Sequence, residues 1–374
     1  MPLKVAIPKE TAANEKRVAI VPAVAQKLAG MGLNLVVEKG AGGGAQMPDS
    51  AYGDSVSIEN DAAKLIGSSD VVIKVQPPTV EEAGQLKEGS ILISHLYGHN
   101  NTDVIKVLRD RKITAFGLEL IPRISRAQSM DVLSSQANVS GYKSVLFAAD
   151  LLPRYLPMLT TAAGTIRPAT ILVLGVGVAG LQAIATAKRL GAIVEAYDVR
   201  PETAEQVRSL GAKFIDTGVS AAGDGGYARE LTDEEKAKQQ AVLDKHIQKA
   251  DAVITTAAIP GRPSPKLVSA KAVEGMKDGA VIIDLAAEGG GNCELTKPGE
   301  KISKGTVTIY GPLNVPSMMA EHSSELFSKN ILNFLSPFVK DGEIELDWED
   351  EILAGAVSTH DGEIRHELTK KAVG

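Results

Sequence analysis

A single cysteine, Cys293, stands in 374 residues. One thiol excludes an intrachain disulfide and leaves no second thiolate for a structural zinc site, so a reducing compartment is expected and the thiol reads as inert. No metal is expected. Aromatic residues are scarce as well, at 4%, which removes the stacking platforms on which single-stranded nucleic acid is usually held. The formal net charge is −6 with neither sign gathered into a tail, so a nucleic-acid backbone is not an expected partner either. The N-terminus enters the strand-like run Val5-Ala6-Ile7 almost at once, leaving no room for a signal peptide. One stretch, Pro168 to Ala187, runs 20 residues without a charge, enough to span a bilayer. It carries three glycines at motif spacing between a strand pattern and a helix pattern. A buried strand-turn-helix is therefore expected there, and no transmembrane helix.

What the chain does have is alternation. Short β-branched runs occur at Val5–Ile7, Leu35–Val37, Val71–Val75, Ile91–Ser94 and Thr114–Phe116. A second set follows at Thr170–Leu174, Ile193–Tyr197, Lys213–Ile215, Ala252–Thr255, Val281–Leu285 and Val307–Tyr310. Strands separated by helical stretches imply right-handed βαβ units. The expected fold is α/β, with two doubly wound parallel-sheet, Rossmann-like domains joined by long helices and a cleft between them for a ligand. From Asp131 onward Leu133, Ala137, Gly141, Val145, Ala149 and Leu152 recur near the helical period, which predicts one connecting helix. A second helical run, Ala320 to Leu335, is expected to lead the C-terminus back to the first domain. The domains are thus placed at 1–127 with 328–374, and at 128–327.

Within the second domain the run Gly175-Val-Gly177-Val-Ala-Gly180 joins a strand to a helix that stops at Gly191 before the next strand. Each glycine has its own reason: Gly175 for the tight turn, Gly177 to let backbone N–H groups reach a pyrophosphate, Gly180 for close helix–strand packing. The helix N-terminus then faces the phosphates. Asp198 ends the second strand, where a carboxylate accepts hydrogen bonds from ribose hydroxyls and repels a 2′-phosphate. This selects NAD(H) over NADP(H), although Arg200 two residues on is of the kind that welcomes a 2′-phosphate. The glycine-rich segment Asp216 to Tyr227, DTGVSAAGDGGY, reads as a long loop before a capping box at Thr232 and Glu235. Tyr227 there suits either a cover over a ligand or an exposed loop.

Glu119 to Tyr142 is too polar for a plain linker. It holds Arg123, Arg126, Gln128, Asp131, Ser134, Ser135, Gln136 and Asn138. Amides, hydroxyls and an Arg–Asp pair suit a nicotinamide carboxamide, which both donates and accepts. The plainer role for Ser129 or Asp131 is a helix N-cap, and Asp131 can serve both.

Taken together, PRISRAQSMDVLSSQ and GVGVAGLQAIATAKRLGA closely resemble the NAD(H)-binding component, domain I, of proton-translocating NAD(P) transhydrogenase. The likeness continues through IPKE, RVAI, KVQ, TTAAIPG, DLAAEGGGN and NVPS. It implies that Arg123, Gln128, Asp131 and Ser134 position the nicotinamide for hydride transfer. Arg126, Gly175, Gly177, Val178, Gly180, Asp198, Val199, Arg200, Gly226, Tyr227 and Ala258 would contact NAD(H), with Tyr227 on a loop that closes over it. It also implies an NADP(H)-binding partner domain, membrane-spanning subunits that couple hydride transfer to proton movement, a homodimer, and a cytoplasmic place on the inner membrane through those partners. Two rival readings stand beside it. Alanine dehydrogenase has a similar two-domain design, and Arg17, Lys74 and His95 stand where that enzyme handles its substrate, while Glu288 falls where its aspartate would be. A non-enzymatic NAD sensor is the other.

Overall fold

The computed structural model describes residues 2–219, 231–258 and 263–374. They form two compact units, Met1–Gln136 with Pro316–Gly374 and Ala137–Val315, each built on its own sheet.

The first unit opens with six parallel strands: β1 (Lys4–Ile7), β2 (Asn34–Glu38), β3 (Ser57–Glu59), β4 (Val71–Ile73), β5 (Ile91–Ser94) and β6 (Thr114–Gly117). Helices α1 (Pro22–Gly30), α2 (Ala62–Gly67), α3 (Val80–Gln85) and α4 (Thr102–Asp110) cross between them. Val5, Ala6 and Ile7, like Val71, Val72 and Ile73, are buried throughout. Both faces of the sheet are covered, and so its strands read as unbroken apolar runs instead of alternating ones. The spatial order β3-β2-β1-β4-β5-β6 reverses between β1 and β4, the point where α/β sheets open a crevice beyond their carboxyl ends. Strand β4 stops two residues short of the expected Val75, whose N–H leaves the ladder and donates to Glu10 Oε1 at 2.6 Å.

Helix α5 (Val132–Leu151) carries the chain onward, as its apolar spacing predicts. An exposed hairpin follows, β7 (Leu159–Thr161) with β8 (Gly164–Ile166), which no alternating pattern had announced. The second sheet comprises β9 (Thr170–Leu174), β10 (Ile193–Tyr197), β11 (Lys213–Phe214), β12 (Ala252–Thr255), β13 (Val281–Asp284), β14 (Lys301–Lys304) and β15 (Val307–Tyr310). Its helices are α6 (Val178–Arg189), α7 (Thr203–Ser209), α8 (Asp233–Ile247) and α9 (Ala270–Glu274). The order β11-β10-β9-β12-β13-β15-β14 again reverses beside the first strand, and only β14 runs antiparallel. Ile171, Val173, Ile254 and Ile283 are fully buried in this core, each contributing about 1.5–3 kcal/mol through burial. Helix α8 starts on the expected capping box, with Thr232 N–H donating to Glu235 Oε2 at 2.9 Å and Glu235 N–H to Thr232 Oγ1 at 3.3 Å.

The chain then returns to the first unit through α10 (Ala320–Leu335), β16 (Val339–Lys340), β17 (Glu343–Ile344), α11 (Glu351–Ala356), β18 (Val357–His360), β19 (Glu363–Ile364) and α12 (Glu367–Val373). Strand β18 pairs antiparallel with β6, and β19 pairs antiparallel with β18, so the two extend that sheet to eight strands. Phe327, Ile331 and Phe334 of α10 are buried in the first unit's core. All of α10 therefore belongs there, and the border falls at 315/316 and not inside the helix at 327/328.

Candidate nucleotide site

In the second unit, β9 ends at Leu174 and the chain turns sharply at Gly175, whose φ of +97° lies where side chains are strained. A Cβ at Gly175 would sit 2.8 Å from Thr256 Oγ1 and 2.9 Å from Ala257 N, and one at Gly180 would sit 2.0 Å from Gly175 O. Those two glycines are required by close packing inside the protein. Gly177 differs. It is exposed, and a Cβ there would meet nothing within 4 Å, so the space beside it is open for a ligand. Gly177 is also the N-cap of α6 and offers no side-chain cap. The first-turn N–H groups are thus left for another acceptor, and the helix dipole favours an anion there. Val178, 40% exposed, borders the same opening.

At the end of β10, Asp198 accepts a hydrogen bond from Val176 N at 2.7 Å on Oδ2, which ties it to the glycine turn. Arg200 grips the same carboxylate through Nε and Nη2, both at 2.9 Å. The hydrogen bond to Asp198 raises the Arg200 guanidinium above its ordinary value. Val199 is half-buried beside them, and Ala258 is exposed just past β12. Gly226 and Tyr227, expected at the nucleotide, lie outside the described residues.

The wall beyond β12 is held by residues that the sequence did not single out. Thr256 Oγ1 donates to Gly175 O at 3.0 Å. Ala257 N donates to Asn292 Oδ1 at 3.0 Å, and Asn292 Nδ2 donates to Ala257 O at 2.7 Å and Pro265 O at 2.8 Å. Asp284, fully buried, accepts from Thr255 Oγ1, Ala286 N, Cys293 N and Thr296 Oγ1 at 2.6–3.1 Å. Burial, reinforced by the charge of Asp284, pushes the Cys293 thiol up; it is a packed apolar group. The signal for Asn292 was a lone amide closing the glycine run 289–291, in a segment otherwise noted only for its likeness to a family.

In the first unit, residues 123–134 form an anchored but outward-facing stretch. Ala127, Met130 and Val132 are buried in the core, while Arg123, Arg126 and Gln128 are exposed. Asn330 Nδ2 and Asn333 Nδ2 both donate to Ser129 O, at 2.8 and 3.0 Å. Asp131 takes the capping role: Oδ1 accepts from Ser134 N at 2.9 Å and Oδ2 from Ser134 Oγ at 2.6 Å. Arg126 makes a two-pronged pair with Asp350, at 2.7 and 2.8 Å, and that hydrogen bonding holds the Asp350 carboxyl below its usual range.

Arg17, Lys74 and His95 gather at the carboxyl end of this unit's sheet, all nearly buried. Each faces a carboxylate. Arg17 Nη2 lies 2.6 Å from Glu15 Oε2 and its Nη1 2.8 Å from Gln136 Oε1. Lys74 Nζ lies 3.3 Å from Glu82 and 3.6 Å from Glu10, and His95 Nδ1 3.6 Å from Glu119. Among the described residues no cluster of His, Cys, Asp and Glu is arranged to hold a metal ion.

Residues 6–140 match the N-terminal domain, and residues 144–367 the C-terminal domain, of the alanine dehydrogenase/PNT family. Over 376 residues the chain is 50% identical to the first part of the NAD(P) transhydrogenase subunit alpha of Rhodospirillum rubrum, covering 97% of this chain and 98% of that one. The chain belongs to the NAD(P) transhydrogenase alpha-subunit family. The solved transhydrogenase from Sinorhizobium meliloti superposes with a TM-score of 0.87 at 44% identity, covering 96% of this chain and 99% of that one. A solved L-alanine dehydrogenase superposes with a TM-score of 0.82 at 23% identity and covers 99% of each chain, a likeness of fold alone. The family is one of NAD(H)-binding, Rossmann-like oxidoreductases, and the glycine turn, the open N-terminus of α6 and Asp198 are the parts of this chain that suit a dinucleotide.

Proposed function

We propose that this chain is the NAD(H)-binding part of a proton-translocating transhydrogenase, passing a hydride between NAD(H) and NADP(H) held by a partner domain. The observation that carries the reading is the open space at Gly177 beside the uncapped N-terminus of α6, with Asp198 tied to the same turn. In this reading Gly175, Gly177, Val178, Gly180, Asp198, Val199, Arg200 and Ala258 hold the nucleotide, joined by Arg126 and by Gly226 and Tyr227. Asp131, which accepts two hydrogen bonds from Ser134, presents a preset stretch in which Arg123 and Gln128 orient the nicotinamide carboxamide. The hydride then moves directly from C4 of one ring to C4 of the other, which requires the rings to approach to roughly 3–3.5 Å. The protein's share is orientation and exclusion of water. The proton step belongs to membrane subunits: among the described residues no helix is long and apolar enough to cross a membrane. In the same reading, which rests on the family resemblance, the chain works as a homodimer at the cytoplasmic face of the inner membrane through those partners.

The alanine dehydrogenase reading is disfavoured by the first unit's cluster, where Glu15 already takes the guanidinium of Arg17 and Glu10 and Glu82 flank Lys74. Mixing decides the matter. The chain, NADH and NADP⁺ should give hydride exchange only after an NADP-binding partner domain is added. Absence of exchange with a cognate partner, or turnover of pyruvate and ammonia by the chain alone, would overturn the proposal.

A further inference from the structure

We infer that Asn292 is a positioning residue for the nucleotide site: its carboxamide continues the second sheet past the last paired residues and fixes Ala257 against the Gly175 turn. Strands β12 and β13 pair in register as far as Thr255 and Asp284. One more backbone bond, from Leu285 N to Thr255 O at 2.9 Å, continues the ladder, and among the described residues no backbone group hydrogen-bonds Ala257. Asn292 supplies the two groups a strand would have offered. Its Oδ1 accepts from Ala257 N at 3.0 Å while its Nδ2 donates to Ala257 O at 2.7 Å. The second amide hydrogen goes to Pro265 O at 2.8 Å. The planar amide is fully buried, and all three of its bonds are made.

The clamp is itself fixed. Leu267 N and Val268 N donate to Asn292 O at 2.8 and 3.1 Å. The next residue, Cys293, is held through its N–H by buried Asp284 at 3.0 Å. On the far side, Ala257 N lies 2.9 Å from where a Gly175 Cβ would stand, and Thr256 bonds Gly175 O. The Asn292 amide thus sets how far Ala257, and exposed Ala258 after it, stand from the turn that receives the pyrophosphate. No other side chain does this in the same space. Aspartate has no N–H and would turn a second oxygen toward the Ala257 and Pro265 carbonyls. Alanine would leave an N–H and two carbonyls unpartnered, and buried groups so stranded are costly.

The inference rests on the proposed nucleotide site and goes beyond it, since Asn292 itself need touch no ligand. The test is NADH titration of the full chain, wild type against Asn292→Asp and Asn292→Ala, each followed by steady-state exchange with the NADP-binding partner. The control is Asp251→Asn, at the opposite end of the same sheet, where Asp251 binds Arg154, Lys277 and Thr170 N. The expected result is NADH affinity weaker by about tenfold or more in the Asn292 variants. KM for NADH should rise in step while kcat at saturating NADH stays within about threefold. Asp251→Asn should lower Tm by a similar amount yet keep NADH affinity within about twofold of wild type. Equal losses in both sets of variants, or unchanged affinity at Asn292, would overturn the positioning role. Wild type that binds no NADH would overturn the nucleotide site instead. Should both Asn292 variants fail to fold, Asn292→Ser, with a hydroxyl still able to reach one partner, is read by the same criteria.

Discussion

Arg200 closes a ring on Asp198: its Nε meets Oδ1 and its Nη2 meets Oδ2, both at 2.9 Å, while its own backbone N–H returns to Oδ1 at 2.9 Å. The residue that would select against a 2′-phosphate thus holds in check the one that would attract it. Asp198→Ala should therefore act twice. NADH binding should weaken by roughly 1–3 kcal/mol through loss of a charge-assisted bond to ribose. The released guanidinium should at the same time improve binding of NADPH. Fluorescence titration with both nucleotides reads the two effects, and unchanged affinity and selectivity would remove Asp198 from the ribose role.

The glycines of the turn separate fold from binding. Gly180→Ala places a methyl 2.0 Å from Gly175 O and should cost about 3 kcal/mol, seen as a clear fall in Tm. Gly177→Ala meets no protein atom and should change stability by no more than about 0.5 kcal/mol. It should nevertheless weaken NADH binding by about tenfold, or 1.4 kcal/mol, since the methyl enters the space left for the pyrophosphate. Equal nucleotide affinity in Gly177→Ala and wild type would show that the ligand passes elsewhere.

Arg123 and Gln128 stand exposed on a stretch whose backbone is anchored by Ala127 and Met130. Replacing either by alanine should leave NADH affinity within about twofold. Hydride transfer with the partner domain should slow by about 10²-fold where ring orientation is lost. The check is a binding titration alongside single-turnover exchange. Abolished NADH binding would mean that these side chains hold the nucleotide and do not merely orient one ring.

Glu15 gives the first unit a measurable pH dependence. Burial alone would raise its carboxyl, but hydrogen bonds and charge from Arg17, with Gln76, hold it down to about 2 from an ordinary 4.5. A depressed carboxylate stabilises the fold in full above the unfolded value and loses that contribution as pH falls toward 2. Glu15→Gln should then be less stable than wild type by up to about 3 kcal/mol near pH 7. The gap should narrow steadily from about pH 5 to pH 2. Denaturant melts at four or five pH values would show it, and a gap independent of pH would assign the effect to packing.

The buried parallel strands were legible because a sheet covered on both faces demands unbroken β-branched runs, as in Val71–Ile73 and Thr170–Leu174. Helices α5 and α10 were legible as helical runs, and the glycine turn from three glycines at fixed spacing between a strand and a helix, with Gly175 taking the left-handed φ of +97°. The two-residue strands β16, β17 and β19 and the exposed hairpin escaped notice, since neither burial nor alternation marks them, whereas β11 was expected at Lys213–Ile215. Strand β18 is a strand because β6 offers it an edge, 241 positions away at Val357↔Phe116.

Local backbone demands are written in neighbouring residues, and for that reason the glycine turn, the helix after it and the place of Asp198 at a strand end could be read directly from the chain. Partnerships across long separations are not. That Arg126 pairs with Asp350, that Arg17 meets Gln136, and that the Asn292 amide bonds the backbone of Ala257 are outcomes of packing. A buried polar group must find a partner wherever the folded chain places one, and that place is known only once the sheets have formed.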